Sequence, residues 1–160
     1  MAWTTPSTWT AGQNVSAANL NAQIRDNLNA LSTWTAYTPT WTGTGGTPTL
    51  GNGTLAGVYM QWGHVLHVRV DLTWGATTSA AGITAWRFSL PGSSVSSGLN
   101  VLSARVFDSS TNIDYSCTGF ASAGATTIGA TSSDTGNVGI AKPIAWATSD
   151  RITIQGTIRL

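Results

Sequence analysis

HVLHVRVDLTW, residues 64–74, decides the fold. Leu66, Val68, Val70, Leu72 and Trp74 alternate with His67, Arg69, Asp71 and Thr73. Successive strand residues point to opposite faces, so this pattern predicts a strand with one buried face and one polar face. Gly63 separates it from a preceding strand over 55–62. Trp86, Phe88 and Leu90 repeat the alternation and stop at Pro91-Gly92. Further strands are predicted over 99–107, 113–120, 140–146 and 152–158, with Ile152, Ile154 and Ile158 on one face around Gly156. Short strands divided by Gly, Pro, Asn, Asp and Ser turns predict an all-β fold, an antiparallel β-sandwich of jelly-roll-like kind. The segment 35–54 reads as turn-rich, with Gly45-Gly46, Pro48 and Gly51-Asn52-Gly53.

Upstream of the strands the pattern changes. Residues 1–15 read as an extended arm, and Ser16 is placed to cap a helix. Leu20, Ile24, Leu28 and Leu31 recur at spacings of four, four and three, one narrow apolar stripe on a short α-helix. Arg25 and Asp26 lie off that stripe. A helix this short is marginal alone in water and must dock, either on its own β-domain or on copies of itself. A narrow seam suits a bundle of identical helices, so these four residues are expected to oligomerise the chain. The chain divides into an arm and helix (1–33) and a β-domain (34–160).

Composition excludes several functions. Only 8% of the 160 residues are charged, there is no Glu, and Lys142 is the sole Lys. The net charge is +1 and the six Arg are scattered along the sequence, so no phosphate-binding face for nucleic acid is expected. Cys117 is the single cysteine, which rules out an intrachain disulfide and a Cys-based zinc site and suits a small buried filler. His64 and His67 fall on opposite strand faces, a poor arrangement for a shared metal, and His67 is expected to be solvated. No cofactor is expected. The chain carries no nucleophile elbow and no phosphate loop; Asp71 lies on the polar strand face near Arg69, and Asp108, Asp114, Asp134 and Asp150 sit in or beside turn-forming stretches where Asp bonds nearby backbone. A non-catalytic protein is therefore expected. A glycan hydrolase would require two facing carboxylates. The opening MAWTTPSTWTAG is not a signal peptide, and no apolar run approaches the ~18 residues of a membrane span, so no membrane insertion is expected.

The eight Trp are the main anomaly. Trp74, Trp86 and Trp146 fit buried strand positions, and Trp62 fits a strand end. Trp34 and Trp41 are expected to pack on the chain's own β-domain or helix. Trp3 and Trp9, beside Pro6, have no local core. They are expected to anchor the arm to a neighbouring subunit, from which its order would come. Any Trp exposed on a loop is open to sugar stacking.

The residues Trp3, Pro6, Trp9, then Leu20-Asn21 and Arg25-Asp26-Asn27-Leu28, resemble the opening of minor tail and tail-fibre proteins of phages infecting Gram-positive, especially actinobacterial, hosts. Thr38, Pro39, Trp41, Gly51 to Leu55, Gly57, Tyr59 and Trp86 to Pro91 are similar to a β-domain of the same proteins. The resemblance covers roughly residues 1–92. Met60-Gln61-Trp62 departs from its more basic strand end, and the chain is short for a full fibre. The resemblance implies a structural virion protein without catalytic residues, a homotrimer attached to other virion proteins through Trp3, Pro6 and Trp9, with host cell-surface glycans as candidate contacts. Capsid decoration and a glycan-binding module are the alternatives. A glycan-binding module would show surface aromatics beside a polar groove.

Overall fold

The computed structural model describes residues 4–30, 33–92, 94–133 and 136–160. Trp3 and Leu31, two of the expected attachment and oligomerisation residues, lie outside the described residues.

The chain is mostly antiparallel β-sheet with one short helical run. The strands are β1 (Thr35–Tyr37), β2 (Trp41–Thr44), β3 (Thr54–Trp62), β4 (Val65–Thr73), β5 (Thr84–Ser89), β6 (Asn100–Asp108), β7 (Ile113–Ala121), β8 (Thr127–Ser132), β9 (Gly136–Asn137) and β10 (Arg151–Arg159). They form one sheet in the order β1-β3-β4-β10-β6-β7-β8-β5-β2, with β9 added beside β8. The sheet curls on itself. Its two ends, β1 and β2, are consecutive in the chain, and both ends of the link between them are tied to β5. The Tyr37 hydroxyl donates to the Ser89 carbonyl, and Ser89 exchanges hydrogen bonds with Thr40. The curled walls give the sandwich-like body that the alternation implies.

The core lies inside the curl. Leu66, Val68, Val70 and Leu72 of β4 and Ile152, Ile154 and Ile158 of β10 are buried, as their alternation requires. Each such side chain stabilises the fold by roughly 1.5–3 kcal/mol. Gly156 lies opposite Val68 and faces inward, where a Cβ would stand 3.1 Å from the Leu102 side chain. A glycine there lets β6 close over β10. At one end Trp41, Trp74, Trp86 and Phe88 form a buried aromatic cluster, with Trp41 edge-on to Trp86 at 4.8 Å. Trp146 joins it half-buried and donates its indole N–H to the Gly139 carbonyl.

Three expectations need correction. Residues 140–146 form no strand, because Pro143 has no N–H to give a ladder and the segment turns instead. Trp34 is 49% exposed rather than packed in the core. His67 is half-buried: its ring lies 4.9 Å from that of Trp62, and its Nδ1 is 2.9 Å from the Thr157 hydroxyl.

The helical run comprises α1 (Ala17–Leu20), a π turn (Asn21–Arg25) and α2 (Asp26–Ala30). Ser16 caps it as expected, accepting from the Asn19 N–H at 3.2 Å. The flank of the helix beside the stripe holds the chain's own arm. Asn27, which is buried, accepts from the Thr4 N–H and donates to the Thr4 carbonyl, both at 2.9 Å. Gln23 accepts from the Ser7 N–H at 2.7 Å. The arm therefore has hydrogen-bond partners within its own chain, where the sequence suggested only a neighbouring protein would order it. Side-chain amides offer both donors and acceptors, so they can pair with an extended backbone as a second strand would.

Candidate functional site

The outer face of β4, β10 and β6 gathers a charged cluster, Arg69, Asp71, Arg105 and Arg151. Strand register does this. Arg69 lies opposite Gln155, which lies opposite Ser103. The next row is Asp71, Thr153 and Arg105, and the next is Thr73, Arg151 and Phe107. Directly opposed residues share a face, so side chains from three distant segments meet. Three of the six Arg line one recess of about 270 Å³, together with Asp71 and Thr153. These three Arg, scattered in sequence, are gathered in space.

The guanidinium groups are held in fixed orientations. Arg69 donates from Nε and Nη2 to both oxygens of Asp71, at 2.7 and 3.0 Å. The Thr153 hydroxyl donates to the same carboxylate at 2.6 Å. Arg105 pairs with Asp114 in the same way, at 2.6 and 2.8 Å. Both hydrogen bonds and charge hold these two guanidinium groups above their ordinary pKa. The pairs are exposed and therefore contribute little to stability. Their effect is orientation: with Nε and one Nη edge engaged, the remaining N–H groups of each fork stay available. Arg105 and Arg151 both stack on the Phe107 ring, at 5.5 and 5.0 Å. Arg151 has no carboxylate within ion-pair distance among the described residues.

The recess continues along β10. A second hollow of about 280 Å³ is bounded by Arg69, Ser103, Arg105, Thr153 and Gln155. A third, of about 730 Å³, is bounded by Trp34, Val58, His67, Gln155 and Thr157. The widening has a cause in the pairing. β6 stays in register with β10 only as far as Ser103 opposite Gln155, while β4 follows β10 to Arg159. Trp34, just before β1, stands beside this wider end with its indole half exposed.

The other expected residues lie elsewhere. Leu20, Ile24 and Leu28 are 44, 52 and 60% exposed, and Trp9 is 39% exposed on the arm. Pro6 lies on the same exposed arm. Cys117 is half-buried, and burial pushes its thiol pKa up. Asp150 is fully buried and holds loop backbone rather than facing the groove. Among the described residues no three His, Cys, Asp or Glu side chains gather as metal ligands, and no helix is long and apolar enough to cross a membrane.

The groove has no local signature in the sequence. The usable signal was that Arg69, Arg105 and Arg151 each occupy the polar register of an alternating strand, but nothing local says those strands are neighbours. Compared with protein-family models, curated proteins and solved structures, the chain matches none.

Proposed function

We propose that this chain is a non-catalytic structural protein of a bacteriophage particle, a tail-fibre or minor tail component that acts in the virion as a homotrimer. The observation that carries this reading is the uncovered apolar stripe of Leu20, Ile24 and Leu28. Their side chains project from a helix whose neighbouring flank, Gln23 and Asn27, is already occupied by the arm. The π turn supports a straight seam. It takes more than 3.6 residues per turn, which offsets the drift that a four-residue repeat accumulates on a straight α-helix. Closed symmetric assemblies of identical copies are the usual way to cover such a stripe. Leu31 would extend it. Trp9 and Pro6, with Trp3, would then be free to attach the particle, and the β-domain would project outward.

Light scattering of the purified chain is expected to give three times 16.6 kDa. The double variant Ile24→Asp with Leu28→Asp is expected to run as a monomer with unchanged β-sheet circular dichroism, since charges in a seam repel and cannot be desolvated. A chain beginning at Thr33 is expected to fold, remain monomeric and fail to join particles. A monomeric wild-type chain would overturn the trimer.

A second reading, a glycan-binding module, is favoured by one observation. An exposed indole, Trp34, stands beside a groove that also bears Gln155 and Thr157. The two readings are compatible, because a projecting β-domain is where a particle would meet a cell surface. Capsid decoration would use the same trimer at another place in the particle.

A further inference from the structure

We infer that the groove along β10 binds an acidic, carboxylate-bearing polysaccharide, with its charge held between Arg105 and Arg151 and a sugar ring on Trp34. The inference rests on the glycan-binding reading and adds the chemical class. Two features of the groove must be met by one ligand. At the Arg end, three guanidinium groups surround one carboxylate within the recess, and Asp114 neutralises a second charge from outside it. Arg151, unpaired with any carboxylate among the described residues, leaves that end cationic. The planar fork of Arg matches a carboxylate with two parallel hydrogen bonds. Phe107 fixes Arg105 and Arg151 on its ring, so less freedom is lost when they bind.

At the other end the surface asks for a ring. Trp34 offers a broad apolar indole face, and Gln155, Thr157 and Ser103 offer hydrogen-bond partners to hydroxyls. From Arg151 to Thr157 the outer face of β10 runs on the order of 20 Å at ~3.3 Å per residue. That length suits several linked sugars rather than one small anion. A polyol phosphate would satisfy the Arg end but has no ring for Trp34. A neutral glycan would satisfy Trp34 and leave Arg151 without its anion. A polymer carrying both rings and carboxylates satisfies both ends.

The test is a titration of the full chain with polygalacturonate, dextran and polyglycerol phosphate. Polygalacturonate is expected to bind most tightly and to weaken as salt rises. Arg105→Ala and Arg151→Ala are each expected to weaken it about tenfold, as loss of a charge-assisted contact does, without altering the weaker binding of dextran. Trp34→Ala should weaken both sugars. Arg25→Ala removes the same charge from the helix and should change nothing. Near-UV circular dichroism of the Trp cluster will report whether each variant is folded. Equal affinity for dextran would overturn the anion site while leaving the glycan reading standing. Equal loss in Arg25→Ala would reduce the effect to general charge attraction and overturn the site. Tighter binding of polyglycerol phosphate would overturn the choice of an acidic sugar. Binding of none of the three would overturn both the inference and the glycan reading.

Discussion

Val70→Asp is expected to leave no folded protein. Val70 is 1% exposed, at the centre of β4, between Gly57 of β3 and Ile154 of β10. Gly57 has no side chain and Ile154 offers only apolar atoms, and their backbones are already committed to the ladders. A carboxylate there would have no cation and no free donor. Burying an unpaired charge costs several kcal/mol even after the protein relaxes, and the lost valine removes roughly 1.5–3 kcal/mol more. Whole domains are stable by only about 5–15 kcal/mol. The variant should therefore be recovered as insoluble chain, or as soluble chain without the near-UV signal of Trp41, Trp74 and Trp86. Arg69→Ala, one residue away on the opposite face, is the control. Its guanidinium is half exposed and its ion pair with Asp71 is a surface pair, so the loss should be well under ~1 kcal/mol in a urea titration. Comparable damage from both changes would mean that the two faces of β4 are not as different as their burial indicates.

The contrast between these neighbours also marks what was legible in the sequence. Strands with large apolar residues at every second position could be read directly. β4, β5, β6, β7 and β10 lie where the alternation put them, within about two residues at each end. β2 and β8 could not be read so. β2 sits within a turn-rich segment and offers a single large apolar residue, Trp41. β8 is TIGATS, in which Ile128 is the only bulky residue, yet Gly129, Ala130 and Ser132 are buried too. Small residues are there because β8 is covered closely, and a Cβ on Gly129 would stand 3.0 Å from the Trp86 carbonyl oxygen. Burial by closeness leaves no hydrophobic pattern. The segment 140–146 failed in the opposite sense. Ile140, Ile144 and Trp146 suggested a strand, and they do pack against the core, but from a turning loop around Pro143.

The candidate groove was not legible for a different reason. Arg69, Arg105 and Arg151 are separated by 36 and 46 positions, and each looks like an ordinary outward strand residue. Only the pairing of the last strand between β4 and β6 makes them one surface. That pairing is long-range, and no local propensity encodes it. The arm shows the same limit on a smaller scale. Its Trp residues and Pro6 could be seen to lack a core, but the use of Gln23 and Asn27 as backbone partners depends on the arm folding back along the helix.

Asp150→Ala is expected to cost about 3 kcal/mol and to lower the melting temperature by roughly 10 °C, at the ~2–4 °C per kcal/mol usual for a chain of this size. Asp150 is 0% exposed, immediately before β10. Its Oδ1 accepts from the Ser109 N–H at 2.9 Å and the Ser109 hydroxyl at 3.1 Å, and its Oδ2 accepts from the Ala147 N–H at 2.7 Å. Its own backbone carbonyl accepts from the Trp74 N–H. One residue thus ties the turn after β6, the loop entering β10 and the end of β4. The carboxylate was costly to bury, and that cost is relieved when it is removed. The Ser109 and Ala147 N–H groups then lose their acceptor, each at about 1–3 kcal/mol if left without a partner, while the Ser109 hydroxyl keeps the Thr148 carbonyl, and the loss outweighs the relief. Asp150→Asn separates the two oxygens. Its amide oxygen can keep the Ser109 contacts, but its NH₂ would face the Ala147 N–H, donor against donor. It should fall between the wild type and Asp150→Ala in a thermal melt. An Asp150→Asn protein as stable as the wild type would show that the Ala147 contact contributes nothing, and an equally stable Asp150→Ala protein would remove the carboxylate from the account of what holds this end of the sheet.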